Sequence, residues 1–270
     1  MDFIIGSPPY NENSGGLVAL YSLNDAINSL GRNCIVVNYV SKEIKDLVKD
    51  HTFVIYPEII YGNPLEAKNV IRWQLNKPGF ISGDETSWGE NDIIAYFSED
   101  FRSDSIKNQI QLVSFNPRID KFVEKTKDKD IDTTVLFHKA TKYRNVFDSH
   151  PKNSFVLDSV IEDMSAVVDV LSRTKRFICY DTDTYYSVIA RLCGASSIVV
   201  ERDGLSKKDF FNTRPFFKFG ISYGFDMIDQ AEEESNKVVS HILSLKEQSL
   251  QTVKNLIELC HSRLEIKKTG

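Results

Sequence analysis

Short apolar runs rich in branched and aromatic residues alternate along the chain with segments whose apolar positions recur every three or four residues. DFIIG at 2–6 reads as a strand. SGGLVALYSLNDAINSLG at 14–31 reads as a helix, with Leu17, Leu20, Tyr21, Leu23 and Ile27 at helical spacing and Gly31 as its stop. CIVVNYV is the next predicted strand, SKEIKDLVKD a short helix and HTFVIYPEII a further strand. The spacing predicts a helix over 64–75, ended by Lys77-Pro78-Gly79, and IIAYFS and QIQLVSF complete the series as strands.

VEKTKDKDIDT, at 123–133, is charged and lacks apolar periodicity, the pattern of a linker. Beyond it the alternation restarts: strands TTVLFHKA and SFVLDSV, helix MSAVVDVLSR, strand RFICYD, helix TDTYYSVIARLCG and strand SSIVVER. From Asp226 the pattern is mostly helical, with a break expected near 243–245 and apolar positions Val253, Leu256, Ile257 and Leu264 in the last segment. Two successive series of this kind predict an α/β chain of two Rossmann-like domains, 1–122 and 134–270, joined by the linker and closed by C-terminal helices.

The length of 270 residues accommodates two such domains. A net charge of -5 gives no electrostatic case for nucleic acid, which needs clustered Lys and Arg. No apolar run reaches the roughly 18 residues of a membrane span, and the opening lacks a signal-peptide pattern. The expected location is therefore cytoplasmic, with at most peripheral contact at the inner face of a membrane. Cys34, Cys179, Cys193 and Cys260 show no metal-ligand spacing and lie mostly in apolar patterns, so free buried thiols are expected and no metal.

Parallel sheets bind ligands beyond the carboxyl ends of their strands, which directs attention to three loops. In GSPPYNENSGG, Ser14 is a credible helix N-cap, and Gly15 and Gly16 let the backbone approach a ligand closely, although the segment is not a dinucleotide fingerprint. An ordinary capped loop explains it equally well. In YPEIIYGNP, Glu58 stands where a base or hydroxyl-binding carboxylate would be placed, and a solvated Glu beside a turn is the plain alternative. Arg72 and Trp73 follow in the predicted helix, where packing is the better explanation of the tryptophan. In HKATKYR, Lys139, Lys142 and Arg144 suit a pyrophosphate or carboxylate, whereas His138 reads as a half-buried strand residue. Thr182, Asp183 and Thr184 can cap the helix starting near Tyr185; its free N–H groups favour an anion, which a capping Asp partly offsets.

CYDTDTYYSVIARLCGASSIVVERDG and GISYGFDMIDQAEE resemble the donor-binding half of GT-B glycosyltransferases from bacterial surface-polysaccharide pathways, of the family-4-like retaining type. SGG before the first helix and YPEIIYGNPLEAKNVIRWQLNKPG are similar to the first half of those enzymes. The resemblance implies two Rossmann-like domains facing across a cleft, a nucleotide-sugar on the second, and a glycan or glycolipid acceptor on the first. It implies no metal or other cofactor. Thr182, Asp183 and Thr184 would meet the diphosphate or donor sugar, with Lys139 as basic partner. Many retaining members carry two glutamates eight positions apart. Here Asp181 takes the first position, Ile189 the second, and Glu201 is the candidate replacement. For an inverting reaction, Glu58 and Asp84 are the candidate bases by loop position. The expected activity is sugar transfer from a nucleotide-sugar to a hydroxyl. The alternatives are a non-catalytic glycan- or nucleotide-binding protein of the same fold and, third, a sugar-nucleotide epimerase.

Overall fold

The computed structural model describes residues 1–38, 42–81, 83, 88–103, 106–123 and 128–269. The chain divides into two compact units, residues 1–116 with 246–270, and residues 117–245.

The first unit holds a six-stranded parallel sheet of β1 (Asp2–Gly6), β2 (Asn33–Val37), β3 (Thr52–Pro57), β4 (Asn69–Gln74), β5 (Ile93–Tyr96) and β6 (Ile110–Gln111), in the order β2-β1-β3-β4-β5-β6. Helix α1 (Gly15–Ser29) connects β1 to β2. Strand alternation sends Phe3, Ile5, Phe53, Ile55, Ile71 and Trp73 into one core with Leu20, Leu23 and Ile27 of α1. Ile4, Val54, Tyr56 and Val70 enter a second core on the opposite face, with Ile60 and Leu65.

The helix expected over 64–75 is instead the irregular run 64–68 followed by β4. All six residues of NVIRWQ are buried, because a central parallel strand is covered on both faces and so loses polar alternation. Asn63 closes the preceding loop rather than starting a helix. Its Oδ1 accepts from the Ala67 N–H at 3.0 Å, and its Nδ2 donates to the Ala67 carbonyl at 2.9 Å.

The second unit begins with the short helix α2 (Asp120–Val123) and holds a five-stranded parallel sheet of β7 (Ile131–Leu136), β8 (Phe155–Val156), β9 (Thr174–Cys179), β10 (Ser196–Val199) and β11 (Ile221–Tyr223). The order is β11-β10-β9-β7-β8. Helices α3 (Met164–Arg173), α4 (Tyr186–Leu192) and α5 (Lys207–Thr213) lie in the connections between β8, β9, β10 and β11, and α6 (Ile228–Glu233) follows β11. Strand β7 starts inside the stretch expected as linker, while residues 124–127 of that stretch lie outside those described. The strand expected in SFVLDSV is only two residues long and continues as a 3-10 turn, Leu157–Val160.

The last helix, α7 (Val238–Thr269), runs without the break expected near 243–245, where neither Gly nor Pro interrupts its hydrogen-bond ladder. Val253, Leu256, Ile257 and Cys260 join the core of the first sheet, so the closing segment belongs to the first unit rather than to a domain spanning 134–270.

Candidate functional site

Each sheet has one place where consecutive strands are laid down to opposite sides. In the first unit that point lies between β1 and β3, since the chain goes from β1 out to β2 and returns beyond β1. In open parallel sheets such a point, at the carboxyl ends of the strands, is where ligands bind. Ser14 has extended backbone and its hydroxyl accepts from the Leu17 N–H at 3.4 Å, capping α1. A side chain at Gly15 would meet open space, and one at Gly16 only the Leu75 side chain at ordinary contact distance. Glu58, directly after β3, is buried, and its Oε2 accepts from the Leu75 N–H at 2.9 Å. It therefore ties the ends of β3 and β4 together. Asp84, the other candidate base, lies outside the described residues. Arg72 is committed to Asp92 at 2.8 Å, and the Trp73 indole donates to the Leu112 carbonyl at 2.8 Å, so both serve the interior of the sheet. A recess of about 320 Å³ lined by Lys68, Asn69, Asn91 and Arg263 lies by the first residue of β4, away from the carboxyl ends.

In the second unit the equivalent point lies between β7 and β9, because β8 was added on the far side of β7. Leu136 and Cys179 are paired at the ends of these strands. Two residues beyond each stand His138 and Asp181, and the imidazole Nδ1 is 2.8 Å from Asp181 Oδ2. The Asp181 side chain is fully buried, whereas 30% of the His138 side chain is exposed. Burial pushes the Asp181 carboxyl up, but the His138 hydrogen bond, the Lys139 charge and the Asp183 N–H together hold it below its ordinary value. An ionised carboxylate only accepts, so Nδ1 carries the proton and Nε2 is directed elsewhere.

The backbone at His138 is left-handed, with φ of 43°, a conformation costing a non-glycine residue about 1–2 kcal/mol. Asp158, which follows β8, holds it there by accepting from the N–H groups of Phe137 at 2.9 Å and His138 at 2.7 Å. Tyr186 of α4 packs edge-on against the imidazole at 6.0 Å. Tyr143 accepts from the Thr182 N–H at 3.0 Å and donates towards the Tyr180 carbonyl at 3.3 Å. The Arg202 guanidinium lies over the Tyr143 ring at 4.4 Å.

No protein-family model and no curated protein matches the chain.

The remaining residues singled out in the sequence divide into those that hold the site's frame and those that face out of it. Arg144 donates to the carbonyls of Val200 at 3.2 Å and Glu201 at 2.5 Å, joining the loop after β7 to the end of β10. Thr182 and Thr184 are buried, and Asp183 Oδ1 accepts from Arg214 Nη2 at 2.6 Å and Nε at 2.9 Å. Helix α4 starts only at Tyr186, has no side-chain cap and spans seven residues. The N–H groups of Thr182, Asp183 and Tyr186 are already directed at Tyr143, Asp181 and Thr184. Three of the N–H groups around the expected helix N-terminus are thus engaged by the chain itself. Glu201 is exposed and pairs with Lys207 at 3.3 Å, while Ile189 is buried. Lys139 makes no ion pair among the described residues and is near enough for its charge to act on Asp181.

His138 and Asp158 were not among the sequence candidates for function. Their signal was positional: each lies just past a strand, and only the strand order brings His138 beside Asp181 and Asp158 against the main chain of His138. Among the described residues, no group of His, Cys, Asp and Glu could hold a metal ion, and no helix is long and apolar enough to cross a membrane.

Proposed function

We propose that the chain is a glycosyltransferase that moves a sugar from a nucleotide-sugar donor to a hydroxyl of a glycan or glycolipid, with the donor's diphosphate at the carboxyl edge of the second sheet. The observation that carries this reading is Lys139, an ammonium without an ion partner among the described residues, beside the β7/β9 divergence. That is where open parallel sheets bind phosphate-bearing ligands. Two parallel sheets in succession, with the resemblance of 179–204 to GT-B donor halves, support the assignment of the ligand as a sugar nucleotide. A cation placed at the departing diphosphate stabilises the charge that develops as the glycosidic bond breaks.

Calorimetric titration with UDP, GDP, dTDP and ADP tests the reading. Saturable binding of one of them is expected, weakened roughly tenfold or more by Lys139→Ala, the effect of losing one charge-assisted contact. No binding at millimolar concentration overturns it. A second reading, a nucleotide-binding protein without transferase activity, is favoured by Ile189 in the core, an apolar side chain where the resemblance expects the second carboxylate. Slow hydrolysis of a nucleotide-sugar by the purified protein excludes it.

A further inference from the structure

Arg263 of α7 is half-buried, and its Nη1 donates to the Asn91 carbonyl just before β5 at 2.7 Å. Its side chain makes no ion pair among the described residues. A guanidinium drawn partly out of water without a counter-charge favours an anion beside it, and its remaining N–H groups form a planar fork that matches a carboxylate. Arg263 lines the recess of about 320 Å³ at the start of β4, together with Lys68, Asn69 and Asn91. Phe53 and Val70, both buried, and Ile266 of α7, which is 70% exposed, are its apolar lining. Every residue lining it belongs to the first compact unit. The Asn69 carboxamide is held in place by donating to the Asp50 and Thr52 carbonyls at 2.9 Å and 3.2 Å. The Lys68 ammonium pairs with Asp50 at 2.7 Å, but both side chains are largely exposed, so this surface pair opens readily.

We propose that this recess is a second binding site, for a small organic monocarboxylate with an apolar body of about one ring. The carboxylate meets the fork of Arg263, with Lys68 as the outer cation, and the body lies against Phe53, Val70 and Ile266. A volume of about 320 Å³ is at the lower end of those that hold small ligands, which suits a single ring. The mixture of one half-buried cation with apolar lining favours a singly charged amphiphile over inorganic phosphate, which has no apolar surface to bury. Such a ligand would touch both α7 and the strands of the first sheet, and so would reinforce the tie that Arg263 makes to Asn91. The site is independent of the glycosyltransferase reading, whose ligand lies on the second unit.

The test is calorimetric titration of the full chain with benzoate, acetate, benzamide and inorganic phosphate at one ionic strength. Benzoate is expected to bind saturably and about tenfold or more tighter than acetate, which lacks the body, and benzamide, which lacks the charge. Arg263→Gln is expected to erase the preference for benzoate over benzamide. That variant also weakens the tie to Asn91, so Asn91→Glu is the second: it keeps Arg263 and the Asn91 main chain and sets a carboxylate beside the guanidinium. It is expected to abolish benzoate binding while melting no lower than wild type, a combination that a merely structural role for Arg263 does not produce. Hydrogen exchange locates the ligand: benzoate is expected to raise protection in the last turns of α7 and to leave β7, β9 and β10 unchanged. No saturable binding of benzoate, equal affinity for benzoate and acetate, tighter binding of phosphate, or undiminished benzoate binding in both variants overturns the proposal.

Discussion

The carboxylate of Glu58 accepts the main-chain N–H of Leu75 at 2.9 Å, clamping the ends of two neighbouring strands. A buried acceptor in this position is a structural device, and it separates two accounts of the residue. Glu58→Ala leaves the Leu75 N–H without that acceptor and is expected to cost about 1–3 kcal/mol of stability. Glu58→Gln retains a carbonyl oxygen and is expected to keep most of the stability. A catalytic base would instead lose nearly all activity in Glu58→Gln. Urea unfolding alongside a turnover assay distinguishes the two outcomes.

Asp181 gives stability a defined pH dependence. Its folded-state carboxyl is held below the ordinary value against the opposing effect of burial, so its contribution is present above the unfolded carboxylate value of about 3.9. That contribution is lost as pH falls through the lower, folded value. Asp181→Asn is accordingly expected to be less stable than wild type by about 1–3 kcal/mol near pH 6, with the gap narrowing below about pH 4. Denaturant unfolding across this range checks the sign. A gap that stays constant into acid would mean that the carboxylate charge contributes nothing.

These two carboxylates also show how far the sequence is legible. The loops that carry Glu58 and Asp181 could be located because strands such as TFVIYP and TKRFIC are short, branched and bounded by polar residues. Helix α1 is marked by its Ser14 cap and one apolar face. β4 escaped detection because burial on both faces erased the two-residue alternation that distinguishes a strand from a helix. The pairing of His138 with Asp181 is less accessible still. It depends on β9 adding next to β7 rather than next to β8, a choice made by long-range packing and absent from any local pattern. The same applies to α7, whose apolar positions do not reveal which sheet they cover.

Trp73 is fully buried in β4, and its indole N–H satisfies the Leu112 carbonyl. Trp73→Phe preserves an aromatic ring but removes the donor and part of the volume. A loss of about 2–4 kcal/mol is expected from the unpaired carbonyl and the space left behind. Equilibrium unfolding in urea measures it, and a change under about 0.5 kcal/mol would show that neither the bond nor the volume matters.

The cysteines are all free and buried. Burial, with the Asp25 charge, pushes Cys34 up to about 12, and burial pushes Cys260 to about 12 and Cys193 to about 11; Cys179 is raised further. A thiol in that state offers almost no thiolate at neutral pH. Native protein treated with a chromogenic disulfide reagent near pH 8 is expected to react at none of the four on the minutes timescale, and at all four in guanidinium. Rapid labelling of one thiol in the native state would mark a local opening around it.

Leu256 lies in the last helix and is fully buried in the core that includes Ile5, Leu23 and Trp73. Because residues 246–270 belong to the first compact unit, the defect from removing this side chain falls on that unit. Leu256→Ala is expected to cost about 2–5 kcal/mol, the transfer energy of the lost atoms plus the cavity they leave. Hydrogen exchange locates the effect: amides of β1, β3 and β4 are expected to lose protection, while those of β7, β9 and β10 keep more of theirs. Equal loss in both sheets would mean that the two units unfold as one, and protection lost only in β7, β9 and β10 would contradict the assignment of this helix to the first sheet.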